Sequence, residues 1–544
     1  MFPPFIHDAG METHRIIIRN INTLRFNLRC KDNTDRLYSI CVDTLRLIKS
    51  HHVEGDDAHI YLKSMIELIV YCRDYKYGLG QYTTYYALIF ALYNVYPTIA
   101  IYVVRNMMPV CNTAQDVGGS WKDIKLLCDH IRTHFANESC PREDHPFIDT
   151  CIEMMNAQLV KDSKTVNRDI FAISNVAKWI PRENKKYGWL HEKMVFAWAV
   201  TYASHILASA NDDVKYELAY NKCRGMYRKM CSYLNRCIDT PEINHCDQTA
   251  DQIAPRTIPR TSLYKHMHNG YKSYNDRLTL DLITPPSVYA QSKYSIYNML
   301  TINEMIKNAY YLYENREAEP DSVNIKWLNH QWNKFIEYMK KHHRPKGEYI
   351  MPILDVSLDM KTHLRDFHSA IGIALTFAQL GHMRIMAVGH KTCWIELHDS
   401  GFVQNVFSIM EQIKPIQNTS FNVAGLYNTM NETLLLSEST TRFIRHMHAV
   451  VLSCFAMNEY TYDLRNSFTT KCLPNMIFWN TSSHIMHDLT SNLSERCIFT
   501  CGDTPSVISH IYEEIVYFAK YEKYTDMLCP ENDVIGEYLN NVMA

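Results

Sequence analysis

The chain of 544 residues carries 56 lysines and arginines against 58 aspartates and glutamates, a formal net charge of -2. This near-neutral balance excludes a globally basic coat protein for nucleic acid, while a local basic face stays compatible with it. With 47% hydrophobic and 21% charged residues, the composition is that of a folded protein and not of a disordered one. A chain of this length exceeds what one hydrophobic core normally serves, so we expect at least two domains.

The N-terminal residues predict a soluble protein inside the cell. They lack the basic start and continuous apolar run of a secretory signal, and later apolar runs are interrupted by polar residues. The 17 cysteines have no regular spacing, which favours reduced thiols over a disulfide framework. We therefore expect a cytoplasmic protein that has no membrane partner.

Apolar residues recur at three- and four-residue spacings from about residue 14 to about residue 240, which predicts a series of helices. Proline and glycine interrupt this pattern at Pro97, at residues 116–121, at Pro141 and at Pro181. We predict stacked helical hairpins without a fixed repeat period. The polar, proline-bearing residues 239–262 predict a loop or linker, after which the helical pattern resumes.

The pattern changes at Tyr349, where a short apolar run ends in Asp355 and Ser357. Such a run is typical of a buried parallel strand that leads into a functional loop. Helical and strand-like segments then alternate, which predicts a doubly wound α/β sheet with ligand loops at the carboxyl ends of its strands. We therefore predict three parts: an all-helical domain over residues 1–345, an α/β domain over residues 346–525 and a C-terminal tail over residues 526–544.

Two loops of the predicted sheet carry oxygen-bearing side chains that suit a divalent cation. Asp355, Ser357 and Asp359 lie in the first loop, and Thr419 lies in the second. Carboxylates and hydroxyls are the ligands that Mg²⁺ and Ca²⁺ prefer, and the ends of parallel strands meet at one edge of a sheet. Aspartate and serine are also preferred helix N-cap residues, so capping of the following helix is the alternative interpretation.

The first loop resembles the metal-ion-dependent adhesion site of a von Willebrand factor A domain. That family has serine where Asp359 stands, and the aspartate of its third loop corresponds to Ala456. One carboxylate is gained and another is lost. The resemblance therefore implies an altered site, which either still holds Mg²⁺ or another divalent cation or has lost the ion.

Six segments along the chain resemble, in the same order, an uncharacterised family from large DNA viruses, plants and fungi. The most specific lie at residues 73–80, 119–123 and 178–182. That family joins a TROVE-like helical module to a von Willebrand factor A domain, as in the Ro ribonucleoprotein autoantigen. The resemblance implies a viral origin, a curved or ring-shaped HEAT-like helical domain that binds RNA, and a Rossmann-like von Willebrand factor A domain.

RNA binding requires lysines and arginines on one face, because phosphate contacts dominate the affinity. Three basic groups qualify: Lys178, Arg182, Lys185 and Lys186; Arg224, Arg228, Lys229 and Arg236; and Arg256, Arg260 and Lys265. Trp179, Tyr187 and Trp189 interleave with the first group, and aromatic rings of this kind stack on unpaired bases. Solvated helix faces and ordinary core packing account for the same residues equally well.

The sequence carries no nucleotide-phosphate loop, no serine nucleophile elbow and no zinc-protease helix. Close histidine pairs such as His446 with His448 and His484 with His487 lack an accompanying cysteine pair, which favours ordinary histidines over zinc ligands. We therefore predict a non-catalytic RNA-binding scaffold. The alternative is a protein-interaction or virion-associated scaffold that recruits a partner through the loops of the α/β domain, with or without a divalent ion.

Overall fold

The computed structural model describes residues 5–50, 55–74, 78–109, 118–133, 142–238, 300–316, 322–342, 349–398, 401–416, 426, 447–454, 475–484 and 497–502. Sixteen α-helices and one six-stranded mixed sheet lie within these ranges. This content agrees with the predicted combination of helical and α/β structure. Among the described helices, none has the length and apolar character needed to cross a membrane.

The described residues up to position 238 form eleven α-helices. These are α1 (Phe5–Asn27), α2 (Thr34–Lys49), α3 (Gly55–Arg73), α4 (Tyr82–Val95), α5 (Pro97–Met107), α6 (Trp121–Thr133), α7 (Pro146–Thr165), α8 (Val176–Trp179), α9 (Gly188–Tyr202), α10 (Ser204–Leu207) and α11 (Asp213–Ile238). Helix α4 is buried at every residue from Thr84 to Leu92, because α2, α3, α5 and α6 all pack against it. Pro97 begins α5, as its fixed φ and missing donor favour.

A buried ion pair joins α3 to α6. Arg73 Nη2 donates to Asp123 Oδ2 at 2.7 Å, and the Tyr86 hydroxyl donates to Asp123 Oδ1 at 2.8 Å. The backbone amide and the hydroxyl of Ser120 donate to the same carboxylate. Gly78 closes the adjacent loop, where a Cβ would lie 2.0 Å from a backbone carbonyl oxygen of α3. Two of the segments that carry the family resemblance therefore stabilise the helical core.

The remaining described elements form a sheet and the helices around it. They are α12 (Ile302–Glu314), α13 (Val323–His342), β1 (Tyr349–Asp355), α14 (Leu358–Thr362), α15 (Leu364–Leu380), β2 (Arg384–Val388), β3 (Thr392–Glu396), α16 (Phe402–Ile413), β4 (Met447–Ser453), β5 (Asn475–Asn480) and β6 (Cys497–Cys501). The strand order is β3-β2-β1-β4-β5-β6, with β3 antiparallel and the other strands parallel. The winding direction changes between β1 and β4, and ligands of open α/β sheets bind at the carboxyl ends of such strands.

Helices α12 and α13 pack on α15 and α16 of the sheet layer. Gly372 permits the closest approach, because a Cβ there would lie 2.0 Å from Ile302 Cγ2. Trp332 stacks on Phe402 with the ring centres 4.4 Å apart. The sequence had assigned both helices to the helical domain, whereas these contacts group them with the sheet. The division at residue 345 stays a prediction, and the predicted linker at 239–262 and tail at 526–544 lie outside the described residues.

The end of α1 and the turn after it contact the carboxyl edge of the sheet. Asn480 Nδ2 donates to the Phe26 carbonyl oxygen at 3.0 Å, and the Lys31 amide donates to the Ser483 carbonyl oxygen at 3.0 Å. The Cys501 thiol also reaches the Arg25 carbonyl oxygen, at 3.3 Å. Helix α1 and the turn after it therefore lie against the sheet edge where we expected ligand loops.

Candidate functional site

Asp355 lies at the carboxyl end of β1, as the sequence predicted. Its Oδ1 accepts a hydrogen bond from the Ser357 amide at 2.9 Å, and its Oδ2 accepts one from Ser453 Oγ at 2.6 Å. Asp355 and Ser357 are each only 2% exposed. Ser453 ends β4, and the parallel pairing of β4 with β1 brings its hydroxyl to the carboxylate.

The structure describes only some of the other residues of the predicted ion site. Ser357 stands at the N-cap of α14, but its side chain makes no capping hydrogen bond. Asp359 lies within α14, while Thr419 and Ala456 lie outside the described residues. An ion held by Asp355, Ser357, Asp359 and Thr419 stays a prediction.

The surroundings of Asp355 limit what that carboxylate can bind. Met360, Cys454 and Thr481 enclose this edge and are buried, and the Cys454 amide donates to Met360 Sδ at 2.9 Å. In an adhesion-type site, a partner carboxylate completes the coordination of the ion at the surface. The described residues do not fit that use, because Asp355 is enclosed by buried side chains and does not reach the surface where a partner carboxylate would lie.

A second group of metal-type ligands lies at the same edge. His363 precedes α15, Asp366 lies in its first turn, and His484 follows β5; their ligand atoms all lie within 4.8 Å of one another. Asp366 Oδ1 accepts from Ser483 Oγ at 3.0 Å, and Oδ2 accepts from the Ser483 amide at 3.2 Å. His484 Nδ1 lies 2.7 Å from Asp32 Oδ2. Sequence reasoning missed this group because its members are distant along the chain.

Cations and aromatic rings converge where α6 meets α8 and the start of α9. Lys125 Nζ lies 5.1 Å from the ring centre of Trp179 and 5.1 Å from that of Tyr187. Lys122 and Lys178 lie 5.5 and 5.6 Å from the ring centre of Trp179. We call this surface the cation–aromatic face: Lys122, Lys125, Arg132, Lys178, Trp179, Lys186, Tyr187 and Trp189.

Helix α6 supplies three cations of this face that sequence reasoning did not select. Lys122 and Lys125 are three residues apart and therefore share one side of the helix, a signal visible in the sequence. Burial, together with the charge of Lys122, lowers the pKa of Lys125 below its usual value. Arg132 lies 4.8 Å from the ring centre of Trp189. The face therefore combines crowded positive charge with half-buried rings.

The second predicted basic group is offset by acidic partners. Arg224 pairs with Glu183 at 3.2 Å and with Glu192 at 2.7 Å, and Arg228 lies 3.4 Å from Glu183. Their charges are therefore less available to phosphate than those of α6. The exposed cations Arg182, Lys185, Lys186, Lys229 and Arg236 face solvent, whereas Arg256, Arg260 and Lys265 lie outside the described residues.

Comparison of the chain with protein-family models, with curated proteins and with solved structures finds no match. The resemblance to the family that joins a TROVE-like module to a von Willebrand factor A domain therefore stays a prediction.

Proposed function

We propose that this protein is a non-catalytic scaffold that binds single-stranded RNA across its cation–aromatic face. The observation that carries the proposal is the position of three ammonium groups, those of Lys122, Lys125 and Lys178, within 5.6 Å of the ring centre of Trp179. Lys122 and Lys125 have no acidic partner among the residues that the structure describes. Like charges repel, so an anionic ligand would relieve this crowding.

The rings favour an unpaired strand over a duplex. Stacking of a base on an aromatic side chain contributes roughly 1–3 kcal/mol, and it requires a base that is not held in a pair. The rings of Trp179, Tyr187 and Trp189 are all half-buried, and those of Trp179 and Trp189 pack against the hydrophobic core, so these two are fixed before a ligand arrives. Phosphates would contact the lysines while bases lie against the rings.

The fold supports this proposal in two further ways. The helices of the N-terminal half pack in sequential layers, in keeping with a HEAT-like module, and the strand order is that of a doubly wound sheet, in keeping with a von Willebrand factor A domain. The enclosed Asp355 carboxylate favours a structural role for the sheet edge over recruitment of a protein partner through an ion.

Fluorescence anisotropy with a short labelled oligouridine, measured over a series of salt concentrations, tests the proposal. We expect wild-type affinity to fall with salt, and the Lys122→Gln/Lys125→Gln double variant to lower the log–log slope by about 0.7 for each lost phosphate contact. Trp179→Phe should weaken binding without changing the slope. Lys340→Gln, at an exposed position on α13, is the matched control and should behave as the wild type.

Two outcomes would overturn the proposal. One is an absence of wild-type binding at low salt. The other is an equal loss of affinity in Lys340→Gln and in the double variant, which would show attraction by overall charge and not by this face. Melting curves recorded beside each titration separate a loss of binding from a loss of folding.

A further inference from the structure

We infer that His363, Asp366 and His484 form a binding site for a divalent transition-metal ion such as Zn²⁺, at the contact between the first helices and the sheet. The site is independent of the proposed RNA-binding function. It also differs from the predicted ion site at Asp355, because it uses imidazole nitrogens and other segments of the chain.

The donor set suits a particular class of ion. Imidazole favours Zn²⁺, Cu²⁺, Fe²⁺ and Ni²⁺, whereas Mg²⁺ and Ca²⁺ favour sites built only from oxygen. Ligand atoms around a tetrahedral zinc ion lie about 3.4 Å apart, given bonds of about 2.0–2.1 Å. The three ligand atoms here lie within 4.8 Å of one another, and two of them belong to side chains that are exposed or half-buried. Small side-chain rotations of His363 and His484 would therefore complete the site.

The environment of Asp366 points independently to a cation. Its carboxylate is completely buried, yet its hydrogen bonds come from the neutral donors of Ser483. No lysine or arginine within the described ranges forms an ion pair with it. Buried carboxylates are normally paired with a cation or coordinate a metal. Each oxygen accepts one bond from Ser483 and retains a second lone pair for a metal.

The contact between His484 and Asp32 orients one ligand. Nδ1 of His484 lies 2.7 Å from Asp32 Oδ2, a pairing in which the ring proton resides on Nδ1 and the Nε2 lone pair is free for coordination. A carboxylate behind a metal-binding histidine is a common outer partner of zinc sites. The ring of His363 stacks on that of His484 with centres 5.4 Å apart, which aligns the two imidazoles. Asp32 is therefore a positioning residue.

The location gives the ion a structural consequence. Asp32 belongs to the turn between α1 and α2, whereas His363, Asp366 and His484 belong to the sheet unit. A metal bound by the sheet residues would fix His484 against Asp32 and strengthen the contact of the first helices with the sheet edge. Metal binding and the joining of the two parts of the molecule are therefore coupled.

Cobalt substitution tests the site in the full-length chain. The protein is treated with a chelator, dialysed and titrated with Co²⁺, whose visible bands report coordination by nitrogen and oxygen. Because the chain has 17 cysteines, a thiolate site is the main competitor, and it would add sulfur-to-metal charge-transfer bands in the near ultraviolet. We expect stoichiometric Co²⁺ binding without those bands, together with a rise in melting temperature when Zn²⁺ is added.

Variants assign the ligands. His484→Ala and Asp366→Asn should abolish the cobalt spectrum and the zinc-dependent rise in melting temperature, whereas His205→Ala, at an exposed histidine on α10, should retain both. His484 is exposed, so its alanine variant is expected to fold even if Asp366→Asn does not. Asp32→Ala should weaken metal affinity about 10- to 100-fold, and Asp32→Asn, which keeps an acceptor for Nδ1, should recover part of it.

The inference is wrong if wild-type protein shows thiolate charge-transfer bands as its only cobalt signal. It is also wrong if His484→Ala binds Co²⁺ as tightly as the wild type. Equal metal affinity in Asp32→Ala and wild type would remove Asp32 from the site and with it the coupling to the first helices.

Discussion

At the carboxyl edge of the sheet, charged side chains are buried and hold hydrogen bonds from serines, whereas on the cation–aromatic face they stay partly exposed and crowd one another. Asp355 receives two such donors, one at each carboxylate oxygen. Lys125 is instead surrounded by other cations and by rings. A group whose charge is already satisfied stabilises the fold, while a group whose charge is not satisfied retains interaction energy for a ligand. The comparison therefore favours a structural role for Asp355 at the edge and agrees with the proposed RNA binding at the face.

The largest expected effect is a loss of stability when the buried ion pair between Arg73 and Asp123 is broken. Asp123→Ala removes the acceptor of the buried Arg73 guanidinium and of the Tyr86 hydroxyl. Breaking a buried ion pair in this way costs about 3–5 kcal/mol of unfolding free energy. Urea denaturation measures it, and Asp43→Ala on the exposed side of α2 should change stability by less than about 0.5 kcal/mol. A loss below about 1 kcal/mol for Asp123→Ala would show that the face does not depend on this pair.

The next prediction tests whether the hydrogen bonds of Asp355 at the sheet edge stabilise the fold. Asp355→Ala leaves the Ser357 amide and the Ser453 hydroxyl buried without this acceptor, at roughly 1–3 kcal/mol for each group. Asp355→Asn keeps an oxygen for the amide and an NH₂ group that can donate to the hydroxyl, so its loss should be smaller. RNA affinity should be unchanged in both variants. Unchanged stability of Asp355→Ala in urea would contradict a structural role for the edge.

The six strands were all predictable from the sequence, as was the position of Asp355 at the end of β1. Short apolar runs that end in polar residues identify parallel strands such as β1 locally, because both faces of that strand are buried. The antiparallel pairing of the edge strand β3 with β2 was not predictable in this way. The partner of Asp355 was not predictable in the same way. Ser453 lies inside an apolar run, and only the neighbourhood of β4 and β1 in the sheet reveals its contact.

The cation–aromatic face could be predicted in part from local sequence patterns, whereas the histidine–aspartate cluster could not. The Trp179 side of the cation–aromatic face follows from basic and aromatic residues that are close in sequence, and the spacing of Lys122 and Lys125 was visible as well. The sequence does not show that α6 packs on α8, and this packing brings Lys122 and Lys125 to Trp179. The cluster of His363, Asp366 and His484 depends wholly on tertiary contacts, so no local spacing in the sequence brings its members together.

A third effect, of about 2 kcal/mol, concerns a histidine on the sheet side of the molecule. Burial lowers the pKa of His368 to about 4, with Lys307 acting in the same direction and Glu314 against it. Its Nε2 has no hydrogen-bond partner among the described residues, and its ring lies 5.0 Å from that of Tyr310. The folded state therefore favours the neutral imidazole.

The sign follows from the lowered value. The unfolded chain takes up a proton near pH 6.5, and the folded chain does so only near pH 4, so stability is fully present above pH 6.5 and is lost as the pH falls towards 4. Between pH 7.5 and pH 5 this group should remove about 2 kcal/mol of unfolding free energy. His368→Phe should lack that part of the pH dependence in urea denaturation, while His205→Phe should keep it. Identical pH profiles for wild type and His368→Phe would refute the assignment.

The smallest expected effect bears most directly on the difference between the two regions. Two cations of the cation–aromatic face have acidic partners: Asp129 lies 3.2 Å from Lys186, and Glu143 lies 2.7 Å from Arg132. Lys186 is exposed, so Asp129→Asn should leave stability almost unchanged. Removal of one negative charge near bound phosphates should raise RNA affinity about twofold at low salt, an advantage that added salt screens.

Anisotropy titrations of Asp129→Asn at low and high salt measure this effect, and Asp43→Asn on α2 is the matched control. If Asp129→Asn instead weakened binding, Asp129 would serve to hold Lys186 in place for the ligand. Ion pairs would then organise the cation–aromatic face, just as hydrogen bonds organise the carboxyl edge of the sheet. Positive charge without an acidic partner would no longer distinguish that face from the edge.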